Sequence, residues 1–167
     1  TPTIWRGIDI AIGTGRSRMN AESLADRLER TRIGGDVDID LREAIERFDV
    51  VDFPCETRCG SGDPIAGHWR GIELAALLGD IDAGATHLLV ESTDGFRVCV
   101  PVAAAIEGIL AVDRVDTDVF PRGLPRLVAP SLSGTRFVRR VATIEGRRLP
   151  PSADPADHED LLLAEAP

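Results

Sequence analysis

The sequence predicts a mixed α+β domain with largely antiparallel sheets and short helices, and three observations carry that prediction. Apolar residues alternate strictly at Ile8, Ile10 and Ile12, and again in V-D-I-D-L at 37–41, which is the period of a half-buried strand. Asp94-Gly95 lies between the runs T-H-L-L-V-E-S and F-R-V-C-V; both residues accept the positive φ that a tight hairpin turn demands. The helical stretches between such runs are short, unlike the regular helices of roughly ten to fifteen residues that separate the strands of a doubly wound sheet.

Taken in order, residues 3–12, T-I-W-R-G-I-D-I-A-I, form the first expected strand. Asn20 opens an amphipathic helix with Ala21, Leu24, Ala25 and Leu28 on its apolar stripe, because Asn accepts from an unpaired N–H of the first turn. Gly34-Gly35 ends it, V-D-I-D-L alternates, and a short helix R-E-A-I-E-R precedes a strand F-D-V-V-D-F at 48–53, closed by Pro54. A cysteine-bearing loop follows, then a helix I-E-L-A-A-L-L at 72–78 and the hairpin pair around Asp94-Gly95. Pro101 suits a first helical turn, so V-A-A-A-I-E-G-I-L reads as a helix. G-L-P-R-L-V-A-P at 123–130 is extended, and F-V-R-R-V-A-T-I-E supplies the last strand pair. The expected organisation is one domain over 1–149 and an acidic, Pro-rich, loosely docked tail over 150–167.

A length of 167 residues with 43% hydrophobic content suits one compact domain. The 28 acidic residues face 19 basic ones, all Arg, for a net charge of −9. No basic stripe is available to release counterions from a nucleic acid, so a nucleic-acid partner is not expected. An acidic, Lys-free composition suits a halophilic protein, in which concentrated salt screens self-repulsion. No apolar run reaches the roughly 18 residues of a membrane span, and no basic-then-apolar leader opens the chain. The expectation is a soluble, cytoplasmic protein. Three cysteines make a disulfide framework improbable.

The stretch C-E-T-R-C-G-S-G-D-P-I-A-G-H-W at 55–69 concentrates the chemistry. A thiolate leaving a strand into a Gly-rich loop beside Arg58 has a lowered pKa and is free to ligate a soft metal or attack an electrophile. Zinc fits poorly, because the spacing of the possible partners His68, His87 and Cys99 matches no zinc pattern. A redox pair of Cys55 and Cys59 is a further reading. Cys99 alternates with Val98 and Val100 and reads as core; Trp69 reads as a core anchor. No Gly-rich nucleotide-binding loop is present.

Five strings occur in order: C-G-S-G-D, W-R-G-I-E-L-A-A-L-L, S-T-D-G-F-R-V-C-V-P, P-R-G-L-P-R-L-V-A-P and S-G-T-R-F-V-R-R-V-A-T-I-E. Together they resemble the molybdopterin-binding oxidoreductase domain of the sulfite oxidase family, most strongly over residues 50–146. Members show a Cys on a strand-exit loop, a W-x-G-V-x-L-x-x-L-L block, a D-G-Y/F hairpin, an H-G-x-P-L-R-L-V-V-P segment and a closing G-x-x-x-V-K-W-V strand.

The resemblance implies that family's fold and its cofactor, the molybdenum-molybdopterin group, with a loop Cys ligating molybdenum. Cys59, ten residues before Trp69, is the better match, and Cys55 is the alternative. Arg139 aligns with the family's Lys of the closing strand and Arg126 with the Arg of the R-L-V-P segment; both are candidates for the cofactor's phosphate or pterin. Arg58, Arg70, Arg122 and His68 are further candidates. The chain has no Tyr, which sulfite oxidases place beside the metal, and carries R-G in place of H-G. Residues 1–47 also lack the Arg-Asn-His type of segment with which larger relatives embrace the pterin. The resemblance therefore implies oxygen-atom transfer on a small substrate, with a separate protein accepting electrons, rather than sulfite oxidation itself. A cofactor-free binding domain of the same fold is the alternative, and a Cys55/Cys59 thiol redox protein a third reading.

Overall fold

Alternating apolar residues assemble into two sheets in the computed structural model, which describes residues 28, 30–34, 39–58, 64–81, 84–116 and 123–162. Its strands are β1 (Arg32–Gly34), β2 (Ile39–Asp40), β3 (Val50–Arg58), β4 (Pro64–Glu73), β5 (His87–Ser92), β6 (Arg97–Pro101), β7 (Ile109–Arg114), β8 (Arg126–Val128) and β9 (Val141–Arg147). One sheet runs β2-β1-β9-β5-β6 and the other β3-β4-β7-β8. All strand pairs are antiparallel except β1 with β9. The α-helices among the described residues are short, Leu41–Arg47, Leu74–Ile81 and Val102–Ala105. The mixed, largely antiparallel α+β class expected from the sequence is thus the one observed. No described helix is long and apolar enough to cross a membrane. The strand expected at 3–12 and, Leu28 and Arg30 apart, the helix expected from Asn20 lie outside the described residues.

The β5–β6 hairpin forms where Asp94-Gly95 placed it, with Gly95 at φ 91°. Leu88, Val90, Val98, Val100 and Ile144 are fully buried on this sheet, and Cys99 is buried with them. Asp40 caps the helix Leu41–Arg47 by accepting from the Glu43 N–H at 2.8 Å. Within V-D-I-D-L, Ile39 and Asp40 form β2 and Leu41 opens the helix, while Val37 and Asp38 lie outside the described residues.

Five expectations need correction. Pro54 does not close a strand: β3 continues through it to Arg58. This is tolerated because β3 is an edge strand, where a missing N–H breaks no ladder bond. The loop expected after Pro54 is largely the second arm of a hairpin, since β4 starts at Pro64 and pairs with β3 over its whole length. Ile72 and Glu73, expected to be helical, pair with β7 instead, and the helix starts at Leu74. The helix after Pro101 stops at Ala105, and Ile109-Leu110 enter β7, whose run of buried residues is as good a fully buried strand as a helix. The closing strand begins only at Val141, after a bend in which Arg140 has φ 49°.

Residues beyond Pro150 attach to the domain. Arg97 and Asp160 bridge through paired backbone bonds of 2.7 and 2.9 Å, and Arg136 pairs with Glu159, whose side chain is 7% exposed.

Gly71 gives a direct check on the packing of β4 against β7. A Cβ there would lie 2.2 Å from the Leu110 carbonyl oxygen, whereas one at Gly79 would meet nothing. Gly71→Ala is expected to lower stability by about 1–3 kcal/mol; Gly79→Ala is expected to raise it by about 0.5–1 kcal/mol. Denaturant midpoints measured at one salt concentration check both.

Candidate functional site

The register of β3 and β4 sorts the predicted residues. Phe53 lies opposite Trp69 and Cys55 opposite Gly67. Opposed residues share a face and neighbours along a strand alternate. Phe53, Cys55, Gly67 and Trp69 therefore occupy one face, and Asp52, Pro54, His68 and Arg70 the other. Gly67 leaves room for the Trp69 indole, whose Nε1 would be 2.6 Å from a Cβ at that position. Trp69 is 4% exposed, so the expected core anchor is in place.

The neighbouring strands bring cations onto this indole. Arg114 is paired with Trp69 across β4 and β7, and Arg126 with Ala111 across β7 and β8. The guanidinium carbons of Arg114 and Arg126 stand 5.0 and 5.2 Å from the Trp69 ring centre. Arg126 also stands 5.8 Å from the ring of Phe137, so two aromatic faces flank it.

The two arginines differ in how their charge is met. Arg114 donates from Nε to Asp116 at 2.7 Å and from Nη2 to the Ala66 carbonyl at 3.1 Å. That hydrogen bond holds the Asp116 carboxyl below the usual range. Arg126 has no carboxylate among the described residues, and its Nε is buried without an acceptor. Burial, reinforced by the charges of Arg139 and Arg114, pulls its pKa down from the ordinary arginine range to about 10. The cluster thus presents a largely desolvated guanidinium, with no carboxylate partner among the described residues, whose planar fork has the geometry to meet a phosphate or carboxylate.

The other candidates divide. Arg70 lies on the opposite face, where its Nε donates to Asp52 at 3.0 Å. His68 shares that face; its Nε2 is buried without a partner, and its carbonyl accepts from the Val115 N–H. Arg139 lies in the bend before β9, not in the strand, close enough for its charge to act on Arg126. Cys55 is buried inside β3, not at a strand end, and burial pushes its thiol up rather than down. Cys59 and Arg122 lie outside the described residues, as does the Arg58 side chain. Arg114 was not among the expected residues, and no local signal in I-L-A-V-D-R marks it. No group of three or more His, Cys, Asp or Glu positioned for a metal occurs among the described residues. Comparison with known protein families and with curated proteins finds no match for the chain.

Two outcomes follow from these charges. Arg126→Met, which removes the buried unpaired cation, is expected to raise stability by about 1–2 kcal/mol in anion-poor buffer. Inorganic phosphate at matched ionic strength is expected to raise the Tm of the parent by about 2–4 °C and to leave Arg126→Met unmoved, as thermal melts will show. The Asp94 carboxyl is held below its usual 3.8 by the Ser92 hydroxyl, the Phe96 N–H and Arg140. Its folded value is depressed, so its contribution is complete above 3.8 and disappears as pH falls through the lower folded value. Asp94→Asn is expected to be less stable than the parent at about pH 6 and equal to it below about pH 2, measured as paired melts across that range.

Proposed function

We propose that the chain is a molybdopterin-dependent oxidoreductase of the sulfite oxidase type, acting by oxygen-atom transfer on a small substrate. The observation that carries this reading is the buried, unmatched guanidinium of Arg126, on the segment that resembles the family's R-L-V-P motif. The residues fit the anionic part of that cofactor. Arg126 would hold the phosphate, Arg139 and Arg114 would add to the positive field, and the Trp69 indole and Phe137 ring would keep water from the fork. Arg70 and His68 stand on the opposite face and take no part in this grip.

When bound, the cofactor supplies two-electron oxygen-atom transfer to or from the substrate. Cys59, one residue past the described end of β3, is the proposed metal ligand. The protonated state that burial imposes on Cys55 favours Cys59 over it. Electrons leave to a separate protein, and the acidic, Lys-free composition supports work in concentrated salt in the cytoplasm.

A cofactor-free binding domain of the same fold is the second reading. It is favoured by the absence of any preformed thiolate among the described cysteines.

Metal content separates the two. Protein made in a host that synthesises the cofactor is expected to carry molybdenum near one per chain, to lose it in Cys59→Ser and to keep it in Cys55→Ser, as elemental analysis will show. Molybdenum-free protein that still binds inorganic phosphate through Arg126 would establish the binding domain instead.

A further inference from the structure

We infer that a second ligand site, apart from the Trp69–Arg126 cluster, lies between the β5–β6 turn and the bend before β9, and that it takes a small carboxylate with an apolar body. A cavity of about 380 Å³ opens there, lined by Ser92, Asp94, Phe96, Phe137, Arg139 and Arg140. Small-molecule sites run from about 300 to 1,000 Å³.

The backbone explains how two consecutive arginines come to line one cavity. In an extended strand their side chains would point to opposite faces; at φ 49° Arg140 turns the chain so that both face the same space. The Arg139 stem is held against Gly123, where a Cβ would lie 3.2–3.3 Å from it.

The charges in the cavity do not cancel. Asp94 is already engaged: it accepts from the Ser92 hydroxyl and from the Phe96 N–H at 3.1 Å, and faces Arg140 at 3.6 Å. Arg139 has no carboxylate or hydrogen-bond partner among the described residues, which leaves one open guanidinium beside one fixed carboxylate. A monoanion satisfies the guanidinium, whereas a dianion would meet the Asp94 carboxylate. Phe96 and Phe137 supply the walls for an apolar body, and Leu162, 48% exposed, stands at the rim. The inference does not rest on the cofactor reading.

Benzoate and its neutral counterpart benzyl alcohol, followed by saturation-transfer NMR on the full chain, test it. Saturable benzoate binding is expected, about tenfold tighter than benzyl alcohol and weakened about tenfold in Arg139→Gln. Leu162→Glu, at an exposed position, should weaken benzoate through like charge and decides the matter if Arg139→Gln does not fold. The inference is overturned by non-saturable binding or by parent-like affinity in Arg139→Gln or Leu162→Glu.

Discussion

A guanidinium largely taken out of water, with no counter-charge among the described residues, organises the candidate site of this molecule. Arg126 sits on a three-residue strand between two aromatic rings, with a second and a third arginine close by and no carboxylate among the described residues. Such a group costs stability in the free protein, and stacking on Trp69 and Phe137 offsets only part of that cost. The arrangement becomes favourable once an anion occupies the fork, because the ligand supplies the charge that the fold withholds. Asp116 pairs with Arg114, so among the described residues the unmatched charge at this face is concentrated at Arg126 and at its neighbour Arg139.

The β3–β4 hairpin sets up that arrangement. Its register places the Trp69 indole over Gly67, beside the position of Cys55, and turns His68 and Arg70 away. Two residues adjacent in sequence, His68 and Trp69, thus belong to different environments. The segment that carries Cys59 departs from the end of β3. The proposed cofactor reading requires that segment to bring the Cys59 thiol within one ligand's reach of Arg126, which lies on β8 at the other edge of the same sheet.

Much of the fold was legible because its signals are local. Ile144 and Leu88 alternate with exposed or half-buried neighbours, and Asp94-Gly95 marks a turn by backbone chemistry alone. Pro54 misled because edge status, which makes a proline harmless in β3, is a property of the sheet and not of the sequence around it. β4 was hidden because Gly67 and Gly71 occupy two of the positions on the Trp69 face, so the apolar alternation that announces a strand is missing. Arg126 was legible as a candidate through its motif; its lack of a counter-charge was not, since that depends on where Asp116, Arg114 and Phe137 arrive in space. Arg114 depends further on the irregular register between Arg70 and Gly71, which no periodicity reports.

The most direct measurement is the pH titration of the Arg126 guanidinium, followed by its ¹³Cζ resonance with and without inorganic phosphate. A desolvated, unmatched cation titrates near 10 in the free protein and moves upward when phosphate binds. A resonance that titrates only in the ordinary arginine range, or one indifferent to phosphate, would contradict the account of this face as an anion site.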